Sequence, residues 1–501
     1  MKGCNTWSYH PYHPFLWEVG DIYICRVVPY ENAIHLEWLQ NEKGCQGTVD
    51  CADTLQLQKE SNNWKEAGCS SEAGCHGGKI SEYEVLYRKR GEEEFIFAGT
   101  VAVDSEKEYG EYTIENLETE VDYEFLVRSG EKKSRVRLAR TGKSVGTVVN
   151  YLHPEDDAYA YSGKYLCSPS IVRHPDGYLL ASMDVHVGAA PQNLTFIYRS
   201  DDNGQTWHYV SELMPSFWGK MFIHNGELYM LSCSTEYGDL LIGKSTDGGR
   251  NFSAPVVLLR GSNGKKGNLG VHKNPQNIMR YNGRIYETLE WGSWENKEYC
   301  HAAMVMSCDE KDDLLVPENW SFTEPRVFDH FAEEVADLPI PTMTIEGTLA
   351  VSPAGKLLNI MRFGKRGHAI AYEVNTSNHE AQLTYSQLIN FPANFSKFMI
   401  KFDEVSGKYY SVATRLYEGC NNSARNYLTL MASENLTDWQ DVCVLQDYRH
   451  EDWHQIGFQY VDFEFEGEDI IYLCRTAMNG AHNFHDSNYS TFHRIENFRK
   501  L

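Results

Sequence analysis

Long hydrophobic runs are missing from this chain: nowhere in its 501 residues do apolar side chains approach the ~18 uninterrupted positions that a membrane-spanning helix requires. Its first residues, Met1-Lys2-Gly3-Cys4-Asn5-Thr6-Trp7-Ser8-Tyr9-His10, contain no apolar stretch of the kind that directs export. A soluble, cytoplasmic protein with no membrane partner is expected. Positive charge is also in short supply, with 46 Lys and Arg against 70 Asp and Glu and a formal net charge of −24. A nucleic-acid partner is thereby excluded, since such binding needs a basic surface that displaces counterions. Any anionic ligand must then be gripped by a few placed arginines. Nor is there an even cysteine set: thirteen cysteines, many scattered in strand-like runs, suit reduced thiols better than a disulfide framework. What is present is a folding composition, 42% hydrophobic and 13% aromatic, in a chain long enough for two or more domains.

Two stretches organise the larger part of the chain, Ser200-Asp201-Asp202-Asn203-Gly204-Gln205-Thr206-Trp207 and Ser245-Thr246-Asp247-Gly248-Gly249-Arg250-Asn251-Phe252. Both read S-x-D-x-G-x-x-aromatic. The pattern predicts a hairpin turn in which the Asp carboxylate accepts backbone N–H groups, Gly supplies positive φ and the ring plugs the space beneath. Degenerate versions occur at Ser307-Cys308-Asp309 leading to Trp320, and at Ser433-Glu434-Asn435 leading to Trp439. Repetition of strand, Gly-turn and strand predicts radial blades, about six over residues 146–501. The last strand, Tyr489 to Ile495, should pair with residues near 146–151 and close the ring.

Residues 1–20 form an N-terminal segment, and residues 21–145 have a different character, with alternating strands at Ile22 to Val28, Ile34 to Trp38, Tyr83 to Tyr87 and Val121 to Arg128. The run Leu117-Glu118-Thr119-Glu120-Val121-Asp122-Tyr123 resembles the tyrosine corner of a fibronectin type III domain, with Trp38 in the place of its core Trp. An insertion over about residues 40–80 carries Cys45, Cys51, Cys69, Cys75 and His76. Its Cys-x5-Cys spacing is wider than zinc sites use, so it is read as a surface loop and no metal is assigned.

The repeats over 146–501 resemble the sialidase superfamily, whose members are six-bladed β-propellers with a substrate pocket on the axis. The fold class expected is therefore all-β, a six-bladed β-propeller preceded by a fibronectin type III-like β-sandwich. By the same resemblance Glu346 and Arg362 stand one hairpin apart as axial carboxylate and carboxylate-binding Arg, Arg425 matches a later substrate-binding Arg, and Tyr460 stands at the nucleophile. A phenol beside a carboxylate is chemically apt: Glu346 can take its proton, and a phenolate approaches an anionic substrate more easily than a carboxylate does. Other positions depart from the family. Cys167 replaces its first anchoring Arg, His186 its second-strand Arg, and the loop Ala189-Ala190-Pro191-Gln192-Asn193-Leu194 lacks the acid/base Asp.

Further proton-transfer groups are at hand. Asp184 and His186 sit two apart on one strand and so share a face, where the carboxylate could tune the imidazole, and His186 is expected to take the place of the missing acid/base Asp and protonate the leaving oxygen. His272 enters the third blade and Trp291 ends the strand that follows, a residue suited to stacking on sugars. The stretch Arg475 to Asn488 is the densest polar cluster of the chain and contributes Arg475, His485 and Asp486, with Trp453-His454-Gln455 nearby. The expected activity is a divergent sialidase-like exo-glycosidase that removes a terminal acidic sugar from an oligosaccharide, with no cofactor and with the propeller alone carrying the site. Two alternatives stay open: a polysaccharide lyase acting on uronates through His186, His272 and Tyr460, and a non-catalytic glycan-binding propeller.

Overall fold

The computed structural model describes Trp7 and residues 22–40, 80–187, 190–262, 267–340, 342–393 and 395–501. Cys45, Cys51, Cys69, Cys75 and His76 lie outside the described residues. Among those described, structure is all-β, interrupted only by 3₁₀ turns of three residues each, and no helix is long and apolar enough to cross a membrane.

Six antiparallel sheets follow one another along the larger part of the chain. The first comprises Tyr165–Arg173, Leu179–His186, Thr195–Ser200 and His208–Leu213; the second, Phe217–His224, Glu227–Cys233, Leu240–Ser245 and Val256–Leu259. The third is built on Gly270–His272, Arg284–Gly292, Ala302–Asp309 and Trp320–Phe322, the fourth on Thr344–Val351, Leu357–Phe363, His368–Glu373 and Thr384–Asn390, and the fifth on Lys401–Asp403, Lys408–Thr414, Tyr427–Ser433 and Gln440–Asp447. The sixth takes Gly457–Glu466, Asp469–Ala477 and Tyr489–Ile495 and is completed by Thr147–Tyr151, with Tyr489 opposite Tyr151. The two ends of the repeat region thus share one sheet, which leaves no open edge at that seam. Strands near the axis are covered on both faces and read as apolar runs, as in Leu179–His186, whereas outer strands such as Thr384–Asn390 alternate toward solvent. The first strands of the first, second and sixth sheets pack side by side, and one cavity receives side chains from five of the sheets and from Arg425, just before a strand of the fifth. This is a β-propeller arrangement.

The repeated turns explain themselves residue by residue. Asp202 Oδ1 accepts the Thr206 N–H at 2.8 Å, and Asp247 Oδ1 accepts the Asn251 N–H at 2.9 Å. Gly204 has φ 90°, and a Cβ there would strike the ring of Phe492 on the closing sheet. The aromatic that ends each motif is inside: Trp207 is fully buried and lies 5.6 Å from Phe492, so the turn of the first sheet is pinned to the last strand of the ring.

Residues 22–40 and 80–140 form two facing sheets, one of Ile24–Pro29, Ile34–Leu39 and Tyr109–Ile114, the other of Ile96–Ala102, Glu82–Lys89, Asp122–Ser129, Lys132–Lys133 and Arg137–Arg140. Trp38 meets Tyr83 edge-on at 5.5 Å in their shared core, and Tyr123 Oη accepts the Glu118 N–H at 3.0 Å. That core continues into Val148, Tyr151, Met478 and Tyr489 of the ring-closing sheet. Buried charges cross the junction as well. Glu37 accepts the Tyr209 N–H at 2.9 Å, Arg26 donates to the Val149 carbonyl at 2.8 Å, and Arg137 pairs with Asp156 at 2.6 Å. Removing one side would strand the other's charges in a low-dielectric seam. Trp7 acts from the N-terminal segment, donating Nε1–H to the Pro215 carbonyl at 2.8 Å and packing edge-on against Phe252.

Trp207→Ala should therefore lower unfolding free energy by about 3–5 kcal/mol, the range for emptying a buried aromatic site. A urea titration at neutral pH measures it, and an unchanged midpoint would show that the ring is not pinned there.

Candidate active site

Four of the six sheets share one irregularity. Between their first two strands the pairing slips once, at Cys167/Ser170, Phe217/Lys220, Ile345/Thr348 and Gln459/Asp462. Within each slip one residue has a left-handed backbone: Ser168 at φ 49°, Trp218 at 55°, Glu346 at 57° and Tyr460 at 54°. Such bulges re-aim side chains out of the regular pleat, and non-glycine residues at positive φ collect at functional sites. Trp218, Glu346 and Tyr460 line the same axial cavity, of about 340 Å³.

At its centre Tyr460 Oη donates to Glu346 Oε1 at 2.6 Å, and Arg362 Nη1 lies 2.8 Å from Glu346 Oε2 and 3.4 Å from Tyr460 Oη. Burial pushes the Glu346 carboxyl up, but Arg362 and the Tyr460 hydrogen bond outweigh it and hold the group below the usual range. Burial, with Glu346 beside it, raises the Tyr460 phenol, which is therefore protonated and donates its hydrogen bond to an ionised carboxylate. Two more guanidinium groups face the same ring, Arg475 at 5.0 Å and Arg425 at 5.6 Å from its centroid. Arg425 has no carboxylate partner among the described residues. It donates to Gln459 and, at 3.0 Å, to the Phe395 carbonyl, and burial beside Arg362 and Arg475 pulls it down to about 10.

The wall to one side holds His186, His485 and Asp486. Arg475 Nη2 lies 2.9 Å from His186 Nε2, which must accept and so carries no proton there. Burial, reinforced by Arg475, holds the His186 imidazole well below its ordinary value, and burial brings His485 down to about 4. Donor atoms of His186, His485 and Asp486 lie within 4.8 Å of one another, the one such group among the described residues. Arg475 stands on the same histidines and opposes a cation, so the set is a poor metal centre.

Of the residues expected from sequence, Tyr460, Glu346, His186, Arg362, Arg425, Arg475, His272, His485 and Asp486 come together on this cavity. Asp184 and Trp291 do not. Asp184 is fully buried, accepts from the Thr195 hydroxyl and from the Trp218 N–H at 2.7 Å, and is raised to about 7 by burial. It braces the second sheet's bulge instead of tuning His186, whose carboxylate neighbour is Asp486 at 3.6 Å. Trp291 packs into the core of the second and third sheets, and Trp294, 43% exposed, lines the cavity in its stead. Phe217, Trp218 and Glu236 were missed by sequence reasoning, although the pair Phe217-Trp218 stands in the second sheet where Glu346 stands in the fourth.

No family model matches the chain, and no curated protein matches it. Among solved structures it is similar to the α-L-arabinanase of Penicillium chrysogenum complexed with arabinobiose, at 15% identity over 72% of this chain and 99% of that one, with a TM-score of 0.47. It is similar also to a Hadza microbial sialidase, at 13% identity over 83% and 90% with a TM-score of 0.46, and to an ulvan lyase, at 12% over 76% and 88% with 0.41. Overlaps of this extent decide neither activity nor substrate.

The imidazole of His186 gives a pH signature. Unfolded, it takes up a proton near ~6.5; folded, it refuses one until much lower pH, so stability should fall as pH drops through that window. Urea midpoints at pH ~7 and ~5 should fall less steeply for His186→Gln than for the natural chain. Parallel curves would mean that folding leaves the proton affinity of this imidazole unchanged.

Proposed function

We propose that this protein is a glycan-active enzyme, a divergent sialidase-like exo-glycosidase that hydrolyses a terminal acidic sugar from an oligosaccharide with retention of configuration. The observation that carries the reading is the hydrogen bond from Tyr460 to an ionised Glu346 inside a ring of three buried guanidinium groups. In this reading Arg425, with Arg362 and Arg475, grips the substrate carboxylate, since a guanidinium fork matches it in two contacts and a bound anion would offset charge that the protein leaves unbalanced. Tyr460 attacks the anomeric carbon as Glu346 takes its proton, and the glycosyl–tyrosine link is then hydrolysed. Trp218 and Trp294 supply faces on which sugar rings stack.

The same proposal takes the six successive sheets as the blades of a six-bladed propeller spanning residues 146–501. It takes the two facing sheets of 21–145, with the Trp38 core and the Tyr123 hydrogen bond, as a fibronectin type III-like domain. That domain supports the propeller from outside the site. Its buried charges at the seam argue against testing the propeller in isolation, because a shortened chain would fail for structural reasons.

A second reading rests on His186. A neutral imidazole at the cavity wall suits a base better than the acid expected of it, and a base beside a uronate carboxylate would drive elimination, with Tyr460 returning the proton. The full-length protein incubated with aryl glycosides of acidic sugars and with uronate-containing polymers separates the readings. Hydrolysis with retention supports the glycosidase; ultraviolet absorbance of an unsaturated uronate supports the lyase; binding without turnover leaves a lectin. For the glycosidase, Tyr460→Phe should lower kcat by roughly a thousandfold or more with the fold intact. Arg425→Ala should weaken substrate binding by about 2–5 kcal/mol, more than any rim charge. A fully active Tyr460→Phe would place the chemistry elsewhere.

A further inference from the structure

We infer that Glu236 is the acid/base of this site, supplied by the second sheet to the position that the loop around Gln192 leaves without a carboxylate. The inference rests on the glycosidase reading and assigns the proton transfer that reading requires. A retaining mechanism needs a carboxyl that first gives a proton to the leaving oxygen and then takes one from water. Three carboxyl groups line the cavity: Glu346, Asp486 and Glu236. Glu346 is held ionised by Arg362 and is occupied with Tyr460. Asp486 is bonded by His485 at 2.9 Å and His482 at 2.8 Å, contacts that keep it well below the usual carboxylate range and without a proton to give. His186 is a neutral acceptor for Arg475. Among these three carboxyl groups Glu236 alone has no ion pair among the described residues and is left facing the cavity.

Its position is built. Gln192 Nε2 donates to Glu236 Oε2 at 2.9 Å, so the residue that stands where an acid is missing now holds the acid from the neighbouring sheet. Glu236 sits on the turn between Glu227–Cys233 and Leu240–Ser245, and that turn is tied down on both sides of it. Thr235 donates to the Pro191 carbonyl, the Gly238 N–H reaches the Thr235 carbonyl at 2.9 Å, and Tyr237 Oη meets His301 Nε2 at 3.1 Å.

In the first step the Glu236 O–H proton passes to the glycosidic oxygen as its bond to the anomeric carbon breaks, while the Tyr460 oxygen forms the new bond and its proton moves to Glu346. In the second, Glu236 carboxylate takes a proton from water, the water oxygen bonds to the anomeric carbon, and Tyr460 leaves and recovers its proton from Glu346.

Glu236→Gln keeps the side-chain shape and an oxygen for Gln192, so the fold should survive, as a thermal melt will verify. Paired phenyl and dinitrophenyl glycosides of one acidic sugar give the test. The variant should lose roughly a hundredfold or more in kcat/KM on the phenyl glycoside, whose leaving group needs a proton, and less than about tenfold on the dinitrophenyl one. Azide, which needs no base, should restore turnover of the dinitrophenyl substrate and yield a glycosyl azide of retained configuration. Equal losses on both substrates, or no loss, overturn the assignment of Glu236 alone. Absence of turnover of either substrate by the natural chain overturns the glycosidase reading and this assignment with it.

Discussion

The site depends on a backbone that is out of register by one residue. A regular ladder would send alternate side chains into the cores between neighbouring sheets. The slips at Ile345/Thr348 and Gln459/Asp462 break that alternation once, and the left-handed residues within them reach the axis. Each such conformation costs on the order of 1–3 kcal/mol in a non-glycine residue, so it persists only where its surroundings over-determine it. Those surroundings are visible just beneath. Asp462 Oδ2 accepts Lys220 Nζ at 2.7 Å and the Ile171 N–H at 2.8 Å, and Lys397 Nζ donates to the Val461 carbonyl at 3.1 Å. First, second and sixth sheets and the segment leading into the fifth are thereby tied under the bulge that bears Tyr460. Burial draws the Lys397 ammonium down to about 7 even with Asp462 close by, a sign of how dry this floor is.

Charge works in opposite senses at two scales. At long range a chain of net charge −24 repels anions, but screening limits that field to about 8 Å at physiological ionic strength. Within the cavity three guanidinium groups stand in a low-dielectric space, and among the described residues only Arg362 has a carboxylate directly on it. A cation buried without a counter-charge is unfavourable, and an arriving carboxylate gains what the empty cavity lacks. For the acidic sugar proposed as substrate, selectivity would then come from the contact itself and not from steering.

Much of the architecture was legible because it follows from local chemistry. The turns at Asp202 and Asp247 announce themselves in composition, since few residues other than Gly tolerate the φ of Gly204 and few side chains other than Asp accept a backbone N–H and a side-chain donor at once. Pairing of Tyr489–Ile495 with Thr147–Tyr151 was readable for a global reason, that a ring of sheets leaves its two ends to each other. What could not be read was the side to which a strand residue points once a bulge intervenes. Asp184 and His186 do share a strand, yet Asp184 is consumed by Thr195 and the Trp218 N–H across the gap to the second sheet. Trp291 and Trp294 differ by three positions, and the end of the strand at Gly292 lies between them; one ring faces the core and the other the cavity. Glu236 was invisible because its relation to Gln192 spans 44 residues and exists only after the first and second sheets are side by side.

That last relation shows why matching a site to a family position by position understates what a radial fold can hold. Every sheet delivers its inner strand to the same axis, so one point near the axis can be reached from several places in the chain. In the sialidase-like reading proposed above, Cys167 takes the place of an anchoring Arg, and a thiol there binds no carboxylate. Yet Arg475, one strand further in the adjoining sixth sheet, brings its guanidinium close enough to offset part of the burial that raises the Cys167 thiol. In the same reading the loop at Gln192 lacks the acid/base carboxylate, and Glu236, on a turn of the next sheet, accepts a hydrogen bond from Gln192. In both cases that reading draws the charge it needs from a different part of the chain. The constraint acting on such a cavity is on the groups that meet at the axis, and the ring lets any of its neighbouring strands satisfy it.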